Sequence, residues 1–252
     1  MNNTMIFIDE FAYRSSFVNC HAMLKFIFTA VVLILCLLFQ DIAVSIYIFI
    51  TMFLCNVFKN HVKWNDYVKL LTIPFLFIFF ACIAIALEIN YNNIFFISVT
   101  KQSFLKSIFV MMRAFASVSI LYFFALSTPL CDMIWILQKL HIPKIVIELM
   151  YMIYRYIFIL IDVQYQLKNA SLSRLGYIDF KTSCRTFVNC IANLLILSIR
   201  KAEKYYQAMV SRCYDGELAF LKKESIWNIY DVIKAVCYIF TVIAVKYISY
   251  NI

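Results

Sequence analysis

Glycine is almost missing from this chain: 252 residues contain two of them, beside three prolines and 14 Asp and Glu. Charged residues make up 15% and hydrophobic ones 64%, whereas a soluble domain carries roughly a quarter of its residues charged. Such a composition belongs in lipid. Other absences narrow the chemistry. His21, His61 and His141 lie far apart with no carboxylate or cysteine at ligand spacing, and the nine cysteines form no Cys-x-x-Cys pair. Cys36, Cys55, Cys82 and Cys237 sit inside apolar runs and read as small membrane hydrophobes. There is no His-Glu-x-x-His, Gly-x-Ser-x-Gly or P-loop pattern, so neither a metal, a nucleotide nor a catalytic site is expected. No basic run interleaved with exposed aromatics stands apart from the hydrophobic helices, which excludes nucleic acid as a partner.

What is present is a series of apolar runs. Residues 22–39 and 42–58 are separated by little more than Gln40 and Asp41, and read as a tight hairpin of two spans. A third span is expected over 70–87 and a fourth over 107–127, closed by Pro129. Pro74 lies inside the third, which membrane helices tolerate when a neighbour satisfies the freed carbonyl. The last run, 226–252, gives a fifth. Met1 to Arg14 carries Asp9 and Glu10 ahead of any apolar stretch and lacks the basic start of a signal peptide, so uncleaved insertion is expected.

Charge gives an orientation. Lys59, Lys63 and Lys69 flank the loop before the third span, while the Gln40-Asp41 turn has no cation. The excess of cations on cytoplasmic loops places the N-terminus inside and the C-terminus outside. Lys101, Lys106, Arg113 and Lys246 run against that rule. Arg113 falls within a span, where a charge marks either function or a side chain snorkelling to the interface.

Residues 128–225 form an insert with 13 Lys or Arg, expected on the cytoplasmic side. A short helix over 131–141 should end before Pro143. A long one follows from Lys144 to about Arg174, with Glu148, Arg155, Asp162 and Asn169 recurring every seven residues as a narrow polar stripe. Arg155 and Asp162 are expected to form structural ion pairs, with other helices or with each other. A third helix, Lys181 to about Arg212, carries Arg185, Asn189, Asn193, Arg200, Lys204, Gln207 and Ser211 on one polar face.

The two glycines, Gly176 and Gly216, fall just past these helices and read as left-handed C-terminal stops. The neighbouring sequences echo each other: Ser173-Arg174-Leu175-Gly176 and Ser211-Arg212-Cys213-Tyr214-Asp215-Gly216. A cation at a helix C-terminus meets the dipole favourably, by about 0.3–1 kcal/mol when exposed, which accounts for one such arginine. Two in matched contexts favour docking, because a guanidinium grips a partner carboxylate through two directional bonds.

Those residues carry a family resemblance. Ile142-Pro143-Lys144 through Glu148-Leu149-Met150, then Tyr154-Arg155-Tyr156-Ile157-Phe158 and Asp162, resemble the cobalt-transport CbiQ family. That family supplies the transmembrane (T, or EcfT) component of energy-coupling factor importers, a branch of the ABC transporters. Arg200-Lys201-Ala202-Glu203 and Gln207 through Gly216 are similar to its Arg-Ala-Glu, Ala-Met and Ala-Arg-Gly-Tyr-Asp-Gly signature, and Ile8-Asp9, Ala12-Tyr13 and Lys25 to its N-terminus.

The resemblance implies an all-α protein of a bacterial or archaeal cell membrane, with two long, crossed coupling helices. They would end in Ser173-Arg174-Leu175 and Ser211-Arg212-Cys213, seated on two ABC-type ATPases or a homodimer of one. Arg155, Asp162, Gly176, Arg200, Glu203, Asp215 and Gly216 would support them. ATP and Mg would be used by those partners, no cofactor by this chain, and a separate membrane subunit would capture a divalent metal. Cys213 stands where the family has glycine, and cysteine resists a positive φ, so a different helix end is expected there. Nickel or vitamin import, a membrane-embedded enzyme and a channel are the alternatives. Dispersed acids disfavour the enzyme, and apolar, glycine-free spans disfavour a channel.

Overall fold

The computed structural model describes residues 11–18, 20–39, 41–60, 62–86, 88–90, 96–98, 101–215 and 228–251. After a helical stretch at residues 11–14, the further helices described are, in order, α1 (Ala22–Leu38), α2 (Ile42–Phe58), α3 (Trp64–Ala86), α4 (Lys101–Ser127), α5 (Leu130–Lys139), α6 (Lys144–Ser173), α7 (Phe180–Val210) and α8 (Ile229–Asn251). Two three-residue strands, β1 (Glu88–Asn90) and β2 (Phe96–Ser98), pair antiparallel between α3 and α4, with Ile89 opposite Ile97. The protein is an all-α membrane protein apart from that short ribbon. The chain divides into two compact units, Met1–Ile136 with Glu224–Ile252, and Leu137–Lys223, so the division falls within α5.

In the first unit α4 packs against α1, α2 and α3, and α8 closes on α1 and α2. The core is built from Val32, Cys36, Val44, Ile48, Met52, Ala116, Ile120, Phe123 and Val242. Small residues on α4, such as Ala116 and Ser119, let backbones approach, which is how helices associate where lipid is as apolar as the side chains. The outward faces are apolar too: Ile73, Phe77 and Phe80 on α3 and Phe240 on α8 are all exposed. Trp64–Ala86, Leu105–Ser127 and Ile229–Ser249 are long and apolar enough to cross a membrane, and α1 and α2 are shorter apolar helices of 17 residues. By length and composition Phe180–Val210 qualifies as well, although sequence reasoning placed it in the insert. Its polar face leaves a long apolar stripe uninterrupted.

Two helices start earlier than their hydropathy suggests. α3 begins at Trp64, six residues before the expected span, because Lys63 accepts from the amides of Asp66 and Tyr67, and Asp66 meets the helix dipole in the first turn. Asp66 also lies 4.0 Å from Lys69, an exposed pair worth little. α4 begins at Lys101, six residues before the expected 107, and its added turns take in Ser103, which is buried, and Lys106.

α1 and α4 run antiparallel and each caps the other. Lys25 on α1, almost wholly buried, donates to the carbonyl of Ser127 at the end of α4, at 2.8 Å. Arg113 on α4 donates through Nη2 to the carbonyl of Leu37 in the last turn of α1. Both carbonyls belong to the final turns that a helix cannot satisfy by itself, and both cations meet a C-terminal dipole. Arg113 thus has a structural partner, although its buried Nε has none among the described residues. Lys246, another cation against the charge rule, lies 3.9 Å from the Phe39 ring centroid at the same end of α1.

Pro74 removes the amide that would bind the carbonyl of Leu70, four residues back. Tyr122 on α4 donates its hydroxyl to that carbonyl at 2.9 Å. Tyr122→Phe should therefore destabilise the chain in detergent by about 0.6–1.7 kcal/mol. In a Pro74→Ala background the same substitution should cost distinctly less, since residue 74 then supplies the missing amide. Unfolding of the four proteins, followed by helical circular dichroism, checks the coupling.

Candidate functional site

The second unit is built on α6 and α7, which run antiparallel across the turn at 174–179. Tyr156 stacks on Tyr205 with centroids 4.9 Å apart, Ser171 shares a 3.3 Å hydrogen bond with Cys190, and Thr186 donates to the carbonyl of Gly176 at 2.8 Å. Ile147, Glu148 and Val163 are the buried residues of α6, and α7 has none. Phe187, Ile191, Leu195 and Ile199 form an exposed apolar stripe along α7 at helical spacing.

The Ser-Arg motifs end α6 and α7 in the same geometry. After α6 the amide of Leu175 donates to Leu172 and that of Gly176 to Ser171, at 3.0 and 2.9 Å. After α7 the amide of Cys213 donates to Val210 and that of Tyr214 to Met209, at 3.0 and 3.1 Å. This pairing of a short and a long backward bond is a Schellman end, which requires a left-handed residue after the cap. Leu175 and Cys213 take that conformation, each with φ 59°. The hydroxyls of Ser173 and Ser211 both donate one turn back, to Asn169 and Gln207, at 3.1 and 2.8 Å. Arg174 and Arg212 thus occupy equivalent positions, immediately before the left-handed residue.

This geometry revises two expectations. Gly176 is not the left-handed stop, which is Leu175, one residue earlier. Glycine is needed at 176 for room instead: a Cβ there would lie 2.9 Å from Thr186 Oγ1 and 3.0 Å from the Ser171 carbonyl. Nor does Cys213 change the helix end. Backbone amides impose the same turn on cysteine as on leucine, against a preference of about 1–2 kcal/mol. Gly216 lies outside the described residues.

Both arginines are exposed, and among the described residues neither guanidinium has a hydrogen-bond or ion-pair partner. The last-turn carbonyls are already bound by amides, so neither arginine is needed as a cap. The two ends lie at opposite ends of α7, whose 31 residues span about 46 Å. Arg155 and Asp162 are exposed on α6 and not paired with each other; Arg200, Glu203 and Asp215 are exposed at the far end of the hairpin. Glu148, by contrast, is buried, and after desolvation its charge is the next cause raising the phenol pKa of half-buried Tyr214, beside Arg212. Sequence reasoning missed Thr186 and Tyr214 as supports of these ends, because neither stands out in the helical periodicity.

No group of three His, Cys, Asp or Glu able to hold a metal occurs among the described residues. The cysteines described are free thiols, and Cys184 and Cys213 are exposed on the second unit. The Cys20 thiol is pushed up to about 11, by burial and then by the Asp231 carboxylate to which it donates a hydrogen bond at 3.2 Å, and so stays protonated.

Fold and site together define a multi-pass helical membrane protein carrying a two-helix unit that ends in paired, exposed arginines. The chain belongs to the family described as cobalt transport protein, CbiQ, which it matches over residues 14–221. An uncharacterized protein of Methanocaldococcus jannaschii is 29% identical over 85% of this chain and 83% of its own length. A Methanocorpusculum labreanum protein, provisionally named fused cobalt transport protein CbiMQ, is 35% identical over 52% of this chain and 22% of its own length. The cobalt transport protein CbiQ of Salmonella typhimurium is 19% identical over 83% and 97%. The chain is accordingly a membrane component of a cobalt-type transporter.

The backbone geometry at the helix ends sets opposite signs for neighbouring substitutions. Leu175→Gly and Cys213→Gly should each relieve about 1 kcal/mol of left-handed strain. Gly176→Ala should destabilise, since its methyl meets backbone and Thr186. Thermal unfolding of the three variants in detergent tests the assignment.

Proposed function

We propose that the chain is the transmembrane coupling subunit of an energy-coupling factor importer for cobalt ions. In this reading residues 128–225 lie on the cytoplasmic side, with the N-terminus inside and the C-terminus outside. Arg174 and Arg212 dock on two ABC-type ATPase subunits, which bind and hydrolyse ATP with Mg. This chain contributes no catalytic group. The observation that carries the reading is the pair of matched helix ends, each holding an arginine with no partner among the described residues, at the two ends of a single stiff helix. A charge pair at a partner's surface needs a guanidinium not already spent within its own chain.

Motion of the ATPases would reach the membrane unit through α6 and α7, and from there a separate membrane subunit that captures the metal. The fused relative, whose name joins CbiM to CbiQ, supports such a membrane partner. The choice of cobalt over nickel or a vitamin belongs to that partner, and metal analysis of the purified complex decides it.

Removing either arginine should weaken docking by about 2–5 kcal/mol, the usual cost of truncating one side of a desolvated charge pair. The double variant Arg174→Ala, Arg212→Ala should lose co-purification with the ATPases and cobalt uptake while accumulating normally in the membrane. Lysine at both positions should restore only part, because it lacks the two-pronged geometry. Assembly and uptake by the double alanine variant at the level of the parent chain would refute the reading.

A further inference from the structure

Leu175 is costly to keep where it stands. Its φ of 59° holds a bulky side chain in the left-handed region, and the residue is 67% exposed. Glycine would remove both costs, and the chain has one at the next position, where it serves to make room for Thr186 and the Ser171 carbonyl. A left-handed residue after a helix often rests on an apolar side chain four positions back. Here that position is Ser171, whose hydroxyl is engaged with the Leu167 carbonyl and Cys190.

The backbone that presents Leu175 is nevertheless firmly held. Its own amide and that of Gly176 are bound to the last turn of α6, and Thr186 on α7 donates to the Gly176 carbonyl at 2.8 Å. Between there and the start of α7, Ile178 and Phe180 are also exposed, at 67% and 87%. A strained side chain kept in the open on a stiff turn points to a contact made outside the chain.

We propose that Leu175 is the apolar anchor of the Arg174 docking end, filling a pocket on the ATPase subunit beside the carboxylate that takes the guanidinium. The proposal rests on the ATPase reading above and ranks its two ends. Cys213 holds the matching position after Arg212 with the same φ of 59°, so the ends share a backbone and differ in the side chain that follows the arginine. A thiol buries less apolar surface than an isobutyl group, so the first end grips harder. A charge pair shielded from water by an apolar neighbour is the arrangement found at the energetic centres of protein interfaces. A lipid surface suits this turn less well, because exposed Asp179 would face its anionic headgroups.

The test sets binding against stability. Leu175→Gly and Cys213→Gly should relieve the same strain, and both should raise the melting temperature of the full chain in detergent. In titrations with the ATPases that co-purify with the parent chain, Leu175→Gly should bind about tenfold more weakly, and Cys213→Gly should lose distinctly less. Leu175→Met, similar in volume, should keep most of the affinity. Binding of Leu175→Gly at the parent's level, or equal losses in the two glycine variants, overturns the proposal. Arg174→Ala separates it from the reading beneath it. A loss there with none at Leu175→Gly removes the anchor alone, whereas parental binding by both variants removes docking at this end altogether.

Discussion

Carbonyl groups that a helix cannot satisfy by itself govern how this chain is put together. In hydrocarbon no water is available to bind them, so each must find a donor within the protein. The solutions recur across the molecule with different donors. Lys25 supplies the end of α4, Arg113 the end of α1, and Tyr122 the carbonyl that Pro74 leaves behind. In the second unit the backbone closes its own ends, through amides that fold back at Leu175 and Cys213. The difference between these solutions separates structure from function. Where a charged side chain is used up as a cap, it is bound within the fold, and where the amides do the capping, the arginine beside them is left for something else.

Much of this was legible in the sequence. The apolar runs placed the helices of the first unit, and the period of polar residues placed α6 and α7 within a residue or two of their ends. The early starts of α3 and α4 were hidden because hydropathy registers where lipid begins, whereas a helix begins where its first amides find acceptors. For α3 that acceptor is Lys63, inside what read as a loop. The β1–β2 ribbon was hidden for a related reason: three residues per strand are too few to show a period.

At the candidate site the sequence showed which residues echo one another and not how the backbone turns. The glycine near the end of α6 pointed to a left-handed position but to the wrong residue. Its true role is steric, set by Thr186 ten residues further along, and no local pattern records a contact of that kind. The cysteine that stands where the family has glycine turned out to share the geometry of the first helix end, because the hydrogen-bond register of the final turn outweighs the preference of one side chain. Arg113 could not be resolved from sequence either, since its partner is a carbonyl on α1, 76 positions away.

The placement of both arginines about one continuous helix also has a rotational consequence. Each residue in α7 advances the chain by about 1.5 Å and turns it by about 100°, so length and angular phase between the two ends are locked together. One residue inserted in the middle of α7 would barely alter its reach, yet would swing Arg212 a quarter-turn and more away from the direction in which it now faces relative to Arg174. Seven residues would add about 10 Å while restoring the angle almost completely. The helix acts as a keyed shaft, and changes to its length are tolerated by phase before they are tolerated by distance.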